Sequence, residues 1–244
     1  MRKVYLLMVV FDEWRLKMEL YNNFDGKAPM IDVNDAAMLL IDHQSGLFQC
    51  INDVDFLRIR DRAIALAEAA TLVNMPVITT ASVPQGPNGP LIPEIHEAAP
   101  HAVYVARRGE VNSWDCKEFV DAVKATGKKT LIIAGTVTSV CMALPALSAV
   151  NEGYRVFAVP DASGTYAPEA AIATMMRLTQ AGVVITDAGA VLAELQRTWH
   201  TPQADAWAQI WGRIFTNYRL LLESYAKAVE VVKTGEPLDN ERED

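Results

Sequence analysis

The sequence predicts an α/β protein, a three-layer doubly wound sandwich with a mostly parallel six-stranded sheet and helices on both faces. Continuous apolar runs, such as residues 36–41, are typical of strands buried on both sides. Segments with helical apolar spacing, such as residues 54–73, alternate with these runs. Glycine and proline stand between the two kinds of segment, at spacings that suit right-handed crossover connections.

The individual elements follow in order along the chain. The predicted strands are residues 36–41, 77–80, 102–106, 131–133, 155–159 and 183–186. The predicted helices are residues 54–73, 114–125, a segment after Cys141 that ends near Gly153, and 168–180. Residues 84–93 contain four prolines and two glycines, which predicts a long loop of the kind that forms lids or binding elements.

Composition excludes several classes of protein. The 244 residues are 51% hydrophobic and carry a net charge of −8 without a basic cluster, so no nucleic-acid partner is expected. Residues 5–11 are apolar but too few for a signal peptide or a membrane span, so no membrane partner is expected. The three cysteines form no CxxC pair, which favours a reducing, cytoplasmic location.

The chain divides into three parts. Residues 1–30 are an N-terminal extension of unknown role, residues 31–200 the α/β domain, and residues 201–244 a C-terminal helical extension with an acidic tail. Aromatic and aliphatic residues between 203 and 232 recur three or four apart, which predicts one broad apolar stripe with a bend at Gly212. This stripe packs either against its own domain or against a neighbouring subunit.

Three chemically distinct groups follow predicted strands. Asp42 ends the first strand, Arg107 or Arg108 ends the third, and Cys141 comes after the fourth. Such ends converge on one crevice in an open parallel sheet, so these residues suggest a nucleophile, a proton acceptor and a fixed positive charge. The start of a helix at Cys141 would favour its thiolate, although a buried, inert cysteine is an equal alternative.

Other chemistry has less support. His43 is an alternative base for Cys141, but neighbouring residues on a strand point to opposite faces. Histidine and cysteine spacings typical of metal sites are missing, so neither a metal nor another cofactor is expected. The two remaining cysteines, Cys50 and Cys116, are interpreted as packing or surface thiols.

Several motifs together resemble one known family. They are LLIDHQSGLF at 39–48, GPNGPLIPEI at 86–95, YVARRGEVNSWD at 104–115 and LIIAGTVTSVCMALPALSAVNEGYRVFAVPDASGT at 131–165. In this order they are similar to the isochorismatase-like cysteine hydrolases, and most of all to the YcaC-type branch. The resemblance spans roughly residues 34–225 and implies the same three-layer fold, a homo-oligomer and a site without a metal.

The resemblance also implies roles for individual residues. Cys141 is the nucleophile and Asp42 the acid and base, while Arg107 stands where the wider family usually has lysine and where the YcaC-type branch also has arginine. The amides of Val137 and Cys141 form an oxyanion hole next to a cis peptide between Thr136 and Val137. Arginine cannot give up a proton, so Asp42 carries the proton transfer alone.

The expected function is metal-independent hydrolysis of a small-molecule substrate, at an amide or related C–N bond, through a covalent thioester. Asn112 and Trp114 are expected to line the substrate pocket. Two alternatives stay open, namely hydrolysis of an isochorismate-like vinyl ether that relies on the acidic residue, and a binding or scaffold protein with little or no catalysis.

Overall fold

The computed structural model describes residues 30–236 and contains the six expected strands. The N-terminal extension, apart from Met30, and most of the acidic tail therefore lie outside the described residues. The strands are β1 (Ala36–Ile41), β2 (Val77–Ser82), β3 (Val103–Arg107), β4 (Thr130–Gly135), β5 (Arg155–Ala158) and β6 (Val184–Ile185).

All strands pair in parallel in the order β3-β2-β1-β4-β5-β6, which confirms the fold class. The chain builds one half of the sheet outward from β1 and then returns to place β4 on the other side of β1. This reversal opens a crevice beyond the carboxyl ends of β1 and β4, where ligands bind in doubly wound folds. Ile41 and Gly135 pair at these ends.

Helices cover both faces of the sheet. In the described part of the chain they are α1 (Phe56–Leu72), α2 (Glu94–Ala98), α3 (Lys117–Ala125), α4 (Ala143–Asn151), α5 (Pro168–Gln180), α6 (Ala188–Gln196), α7 (Ala204–Ile214) and α8 (Thr216–Thr234). Apolar residues of α1, α2, α6 and α7 share one buried cluster with one face of the sheet. Residues of α3, α4 and α5 share a second cluster with the other face.

The pleat of β1 explains why its sequence is apolar throughout. Met38 and Leu40 belong to the cluster on one face, whereas Leu39 and Ile41 belong to the cluster on the other. Since both faces are covered, no position along the strand is left for a polar side chain. The first polar side chain comes directly after the strand, at Asp42.

The C-terminal stripe is divided between two helices. Trp207 and Ile210 of α7 are buried with α1 in the domain core, so this half packs against its own domain. No residue of α8 is buried, and five of its large apolar side chains are exposed, namely Leu220, Leu221, Tyr225, Val231 and Val232. The break between the helices lies at Phe215, whose backbone is extended, whereas Gly212 lies inside α7.

Two helices were not predicted from the sequence. The short α2 follows the loop of residues 84–93, and α6 follows β6. The side chain of Asp187 accepts a hydrogen bond from the Ala190 amide and caps α6, so an N-capping signal was present in the sequence. None of the helices within residues 30–236 is long and apolar enough to cross a membrane.

Candidate active site

Asp42 lies in the crevice at the carboxyl end of β1. Its backbone has a φ of 56°, in the left-handed region that aspartate enters more readily than most residues. Its amide donates to the Thr80 carbonyl oxygen at 2.9 Å, which ties this turn to β2. The side chain is almost completely buried, so its charge needs a partner.

Arg107 is that partner. It is the last residue of β3, and its Nη2 donates to both carboxylate oxygens of Asp42. Its Nε donates to Thr80 Oγ1 at 3.1 Å, and its Nη1 donates to the carbonyl oxygens of Glu110 and Val111. Arg108, the other candidate at this strand end, is exposed.

Cys141 lies in a π-helical turn, Thr138–Met142, between β4 and α4. Its thiol is hydrogen bonded to the Asp42 carboxylate, so the structure brings together the three groups expected from the strand ends. The residue is 8% exposed, so it is buried but not completely enclosed.

The expected cis peptide between Thr136 and Val137 is present. Ser163 supports this segment, because its Oγ accepts from the Gly135 amide at 3.1 Å and its carbonyl oxygen accepts from Thr136 Oγ1 at 2.8 Å. The Cys141 amide donates to the Val137 carbonyl oxygen at 2.8 Å. The Val137 amide donates to the Cys141 sulfur, a hydrogen bond that lowers the pKa of the thiol. The oxyanion hole assigned to these two amides stays a prediction.

Electrostatics keep the Cys141 thiol protonated at rest. Burial raises its pKa far above the usual value, and the charge and hydrogen bond of Asp42 raise it further. The Val137 amide and, more weakly, the charge of Arg107 lower this pKa, but they offset only part of the increase. Burial also raises the pKa of Asp42, against the lowering effect of Arg107. The backbone amide of Val137 favours the thiolate, as expected for this turn, but burial and the Asp42 carboxylate outweigh it, so the net shift of the Cys141 pKa is upward.

His43 is not bonded to Cys141. Its Nε2 donates to the Ala162 carbonyl oxygen at 2.8 Å, and its Nδ1 has no partner among the described residues. Burial lowers the pKa of His43 to about 4, so the imidazole is neutral at pH 7. The alternative Cys–His pair is thus not formed.

Within residues 30–236, no group of three or more His, Cys, Asp or Glu is arranged to hold a metal ion. The two other cysteines were interpreted as packing or surface thiols, and Cys50 is exposed whereas Cys116 is buried.

Asn112 and Trp114 face the neighbouring helix α4. The Asn112 side chain donates to Ser148 Oγ at 3.1 Å and accepts from the Trp114 amide. The indole Nε1 of Trp114 donates to Glu152 Oε1 at 2.8 Å. Both residues use their polar groups within the protein, and their role in binding substrate stays a prediction.

Gln44 and Thr80 support the site and were missed from the sequence. The Gln44 side chain accepts from the Ser82 amide at 3.0 Å and donates to the carbonyl oxygens of Ser82 and Gly89. The Ser82 backbone also hydrogen bonds to the Asp42 carboxylate. The DHQ sequence at 42–44 contained a signal for Gln44, a buried-strand end followed by a polar pair. Thr80 stands beside Thr79 in the strand VITTAS, where threonine is an ordinary strand residue and gives no separate signal.

Comparison with known proteins places the chain in a family. A family model described as the isochorismatase domain matches residues 36–190, which is more than half of the chain. The chain belongs to the isochorismatase family. The motif resemblance is therefore confirmed.

Relatives of the YcaC type match about four fifths of this chain. Probable hydrolase YcaC of Escherichia coli (strain K12) is 45% identical over 195 residues, which are 80% of this chain and 93% of that protein. The crystal structure of that gene product, an octameric hydrolase of unknown specificity, has a TM-score of 0.79 at 44% identity, covering 83% of this chain and 98% of the other. YcaC from Pseudomonas aeruginosa, with hexane-2,5-diol and covalent acrylamide, has a TM-score of 0.78 at 44% identity, covering 82% and 98%. This isochorismatase-family chain is a hydrolase of the YcaC type.

Proposed function

We propose that the protein is a metal-independent cysteine hydrolase that cleaves a small amide or related C–N bond through a covalent thioester. The observation that carries this proposal is the hydrogen-bonded chain from the Cys141 thiol to the Asp42 carboxylate and on to the Arg107 guanidinium. It supplies a nucleophile, a base that touches it and a cation that fixes the base.

In the first half of the reaction, Asp42 takes the thiol proton as the Cys141 sulfur attacks the carbonyl carbon. Because the thiol is protonated at rest, proton transfer and attack are coupled. The negative charge that develops on the carbonyl oxygen is stabilised by the Val137 amide, which hydrogen bonds to the Cys141 sulfur at rest, and by the Cys141 amide. The Cys141 amide would share its existing hydrogen bond to the Val137 carbonyl with this oxygen.

In the second half, protonated Asp42 gives its proton to the leaving amine, and the acyl group stays on sulfur as a thioester. Water then attacks the thioester while Asp42 takes a proton from it. That proton returns to the departing sulfur, which restores the thiol and the carboxylate. Arg107 keeps the carboxylate in place throughout and does not exchange protons.

A relative supports a reactive nucleophile in proteins of this type. The YcaC structure from Pseudomonas aeruginosa contains covalent acrylamide. Acrylamide is a small primary amide with an electrophilic double bond, so a compound of the proposed size and polarity reaches a nucleophile in that protein.

We also propose that the protein acts as a homo-oligomer of identical chains. The Escherichia coli relative is an octamer. The described part of α8 exposes Leu221, Tyr225 and Val232, and apolar side chains of this size are typical of a protein interface.

The proposed reaction is tested by screening small amides with the wild-type protein and with Cys141→Ala. We expect Cys141→Ala to lower turnover at least about a thousandfold and Asp42→Asn at least about a hundredfold, because one removes the nucleophile and the other the base. Mass spectrometry of the quenched wild-type reaction should show an acyl adduct on the peptide that contains Cys141. Turnover should fall as the pH is lowered through the raised pKa of Asp42, since protonated Asp42 cannot act as a base.

Cys50→Ala is the matched control, because Cys50 is an exposed thiol of the same chain and its loss should leave turnover unchanged. Full turnover by Cys141→Ala would disprove the thioester mechanism. Turnover that survives Cys141→Ser but is lost in Asp42→Asn would instead favour vinyl-ether hydrolysis.

A further inference from the structure

The guanidinium of Arg107 has no N–H group left for a ligand. Arginine has five N–H donors. In this protein five acceptor atoms surround them: Thr80 Oγ1, the carbonyl oxygens of Glu110 and Val111, and both carboxylate oxygens of Asp42. The residue is 3% exposed. Although Arg107 is a cation in the site, it cannot offer a substrate the paired hydrogen bonds by which arginine usually binds a carboxylate.

The charge that the sulfur experiences is dominated by Asp42. Within the described part of the chain, the charged groups that act on the Cys141 thiol are Asp42 and Arg107. Asp42 acts both through its charge and through a hydrogen bond, and the opposing effect of Arg107 is the weakest influence on this thiol. An anionic group that reaches the sulfur therefore meets a carboxylate first, in a buried place where charges are poorly screened.

We infer that the site selects small uncharged substrates and rejects those with a carboxylate or another anionic group next to the bond that is cleaved. This inference deepens the proposed function and rests on it, since it concerns the same nucleophile. A neutral amide needs only hydrogen bonds to replace its hydration, whereas a buried anion also needs a free cation. The exposed side chain of Arg108 is the next cation along the chain and is available only to groups that stay in solvent.

Iodoacetamide and iodoacetate test this inference because they have nearly the same size and the same leaving group but differ in charge. With either reagent the sulfur forms a bond to carbon, iodide leaves, and the thiol proton passes to Asp42. The rate constant of alkylation at each cysteine is measured on the full-length native chain by mass spectrometry of its peptides. The exposed Cys50 and the Cys141 of urea-unfolded protein serve as references.

We expect the ratio of the iodoacetamide to the iodoacetate rate at native Cys141 to exceed the ratio at both references by at least about tenfold. Asp42→Asn removes the negative charge and one of the two oxygens that accept from Arg107 Nη2, so in this variant the ratio should fall to the reference value or below. This comparison stays valid even where the variant reacts more slowly, because both reagents are slowed by the loss of the base.

The possible failures are distinguishable. If native Cys141 reacts with iodoacetate as readily as the references do, the inference is overturned and the proposed cysteine chemistry is unaffected. If Asp42→Asn keeps the full preference of Cys141 for iodoacetamide over iodoacetate, the charge of Asp42 is not its cause and the inference is overturned. If native Cys141 reacts with neither reagent, the proposed function fails and the inference fails with it.

Discussion

Arg107 does more in the site than supply a positive charge. It joins the ends of β2 and β3, the backbone of residues 110 and 111, and the Asp42 carboxylate. Lysine has three donors on one atom and cannot reach acceptors in such different directions. The arginine at this position therefore organises its surroundings as well as balancing the charge of Asp42.

Replacing Arg107 with lysine should destabilise the protein while keeping one ion pair. The hydroxyl of Thr80 and the carbonyl oxygens of Glu110 and Val111 lose their donor, which should lower the free energy of unfolding by about 1–3 kcal/mol. Chemical denaturation measures this change. Arg108→Lys is the matched control, because the neighbouring arginine is exposed and its replacement should have little effect.

For the individual site residues, the sequence predicted where the reacting groups lie but not how they are ionised. Asp42, Arg107 and Cys141 were predictable because each follows a recognisable strand and parallel strands end at one edge. The protonated state of Cys141 was not predictable, because it depends on burial and on contact with Asp42. Thr80 and Ser163 were missed for a similar reason, since their roles arise only when distant segments come together.

Among the elements, the proline-rich loop of residues 84–93 is tied to the segment that follows Asp42. The Ser45 amide donates to the Pro90 carbonyl oxygen at 2.9 Å, and the Gly46 amide donates to that of Asn88 at 2.8 Å. A Cβ at Gly46 would lie 2.1 Å from the Pro87 carbonyl oxygen, so only glycine permits this close approach. The side chain of Gln44 completes the connection.

Gln44→Ala should therefore loosen this loop. It leaves the Ser82 amide and the carbonyl oxygens of Ser82 and Gly89 without that side chain, which should cost about 1–3 kcal/mol. Hydrogen exchange should become faster at the Ser45, Gly46 and Ile92 amides, which cross between the two segments.

The exposed Gln49 provides the control for this experiment, and exchange in Gln49→Ala should match the wild type. Unchanged exchange at the three amides in Gln44→Ala would show that Gln44 does not hold the loop.

The bounds of helices and strands with a clear apolar pattern were predicted closely, whereas those of elements with a weak pattern were not. Residues 36–41 and 168–180 have the same bounds in the structure as in the prediction. The helix expected to begin at Trp114 begins at Lys117, after a short 3₁₀ turn, Ser113–Asp115. The separation of α7 from α8 could not be predicted, because the apolar spacing continues across Phe215, where the extended backbone divides the helices, and because only α7 has residues in the domain core.

For the whole molecule, the principal contrast is between α7 and α8. The first is part of the core through Trp207, whereas the second shows 61% of Leu221, 69% of Tyr225 and 87% of Val232 to solvent. Such exposure of large apolar side chains favours a contact with another chain. A second copy is the expected occupant, because the Escherichia coli relative of the same fold is an octamer.

The double substitution Leu221→Glu and Tyr225→Glu should reduce the mass of the assembly, since buried, unpaired carboxylates oppose an apolar interface. Light scattering coupled to size-exclusion chromatography measures the mass. Lys227→Glu serves as the control because this exposed lysine pairs with Glu230 on the same helix. An unchanged mass in the double variant would mean that α8 does not hold the assembly together.

The position of β4 beside β1 also has a consequence for refolding kinetics. Asp42 and Cys141 become neighbours only when these strands pair, and β2 and β3 lie between them along the chain. Closing such a long stretch of chain is a late and slow event. The moment at which Cys141 acquires its native reactivity towards a neutral reagent therefore marks the pairing of β1 with β4, so labelling of this thiol during refolding reports when the two halves of the sheet join.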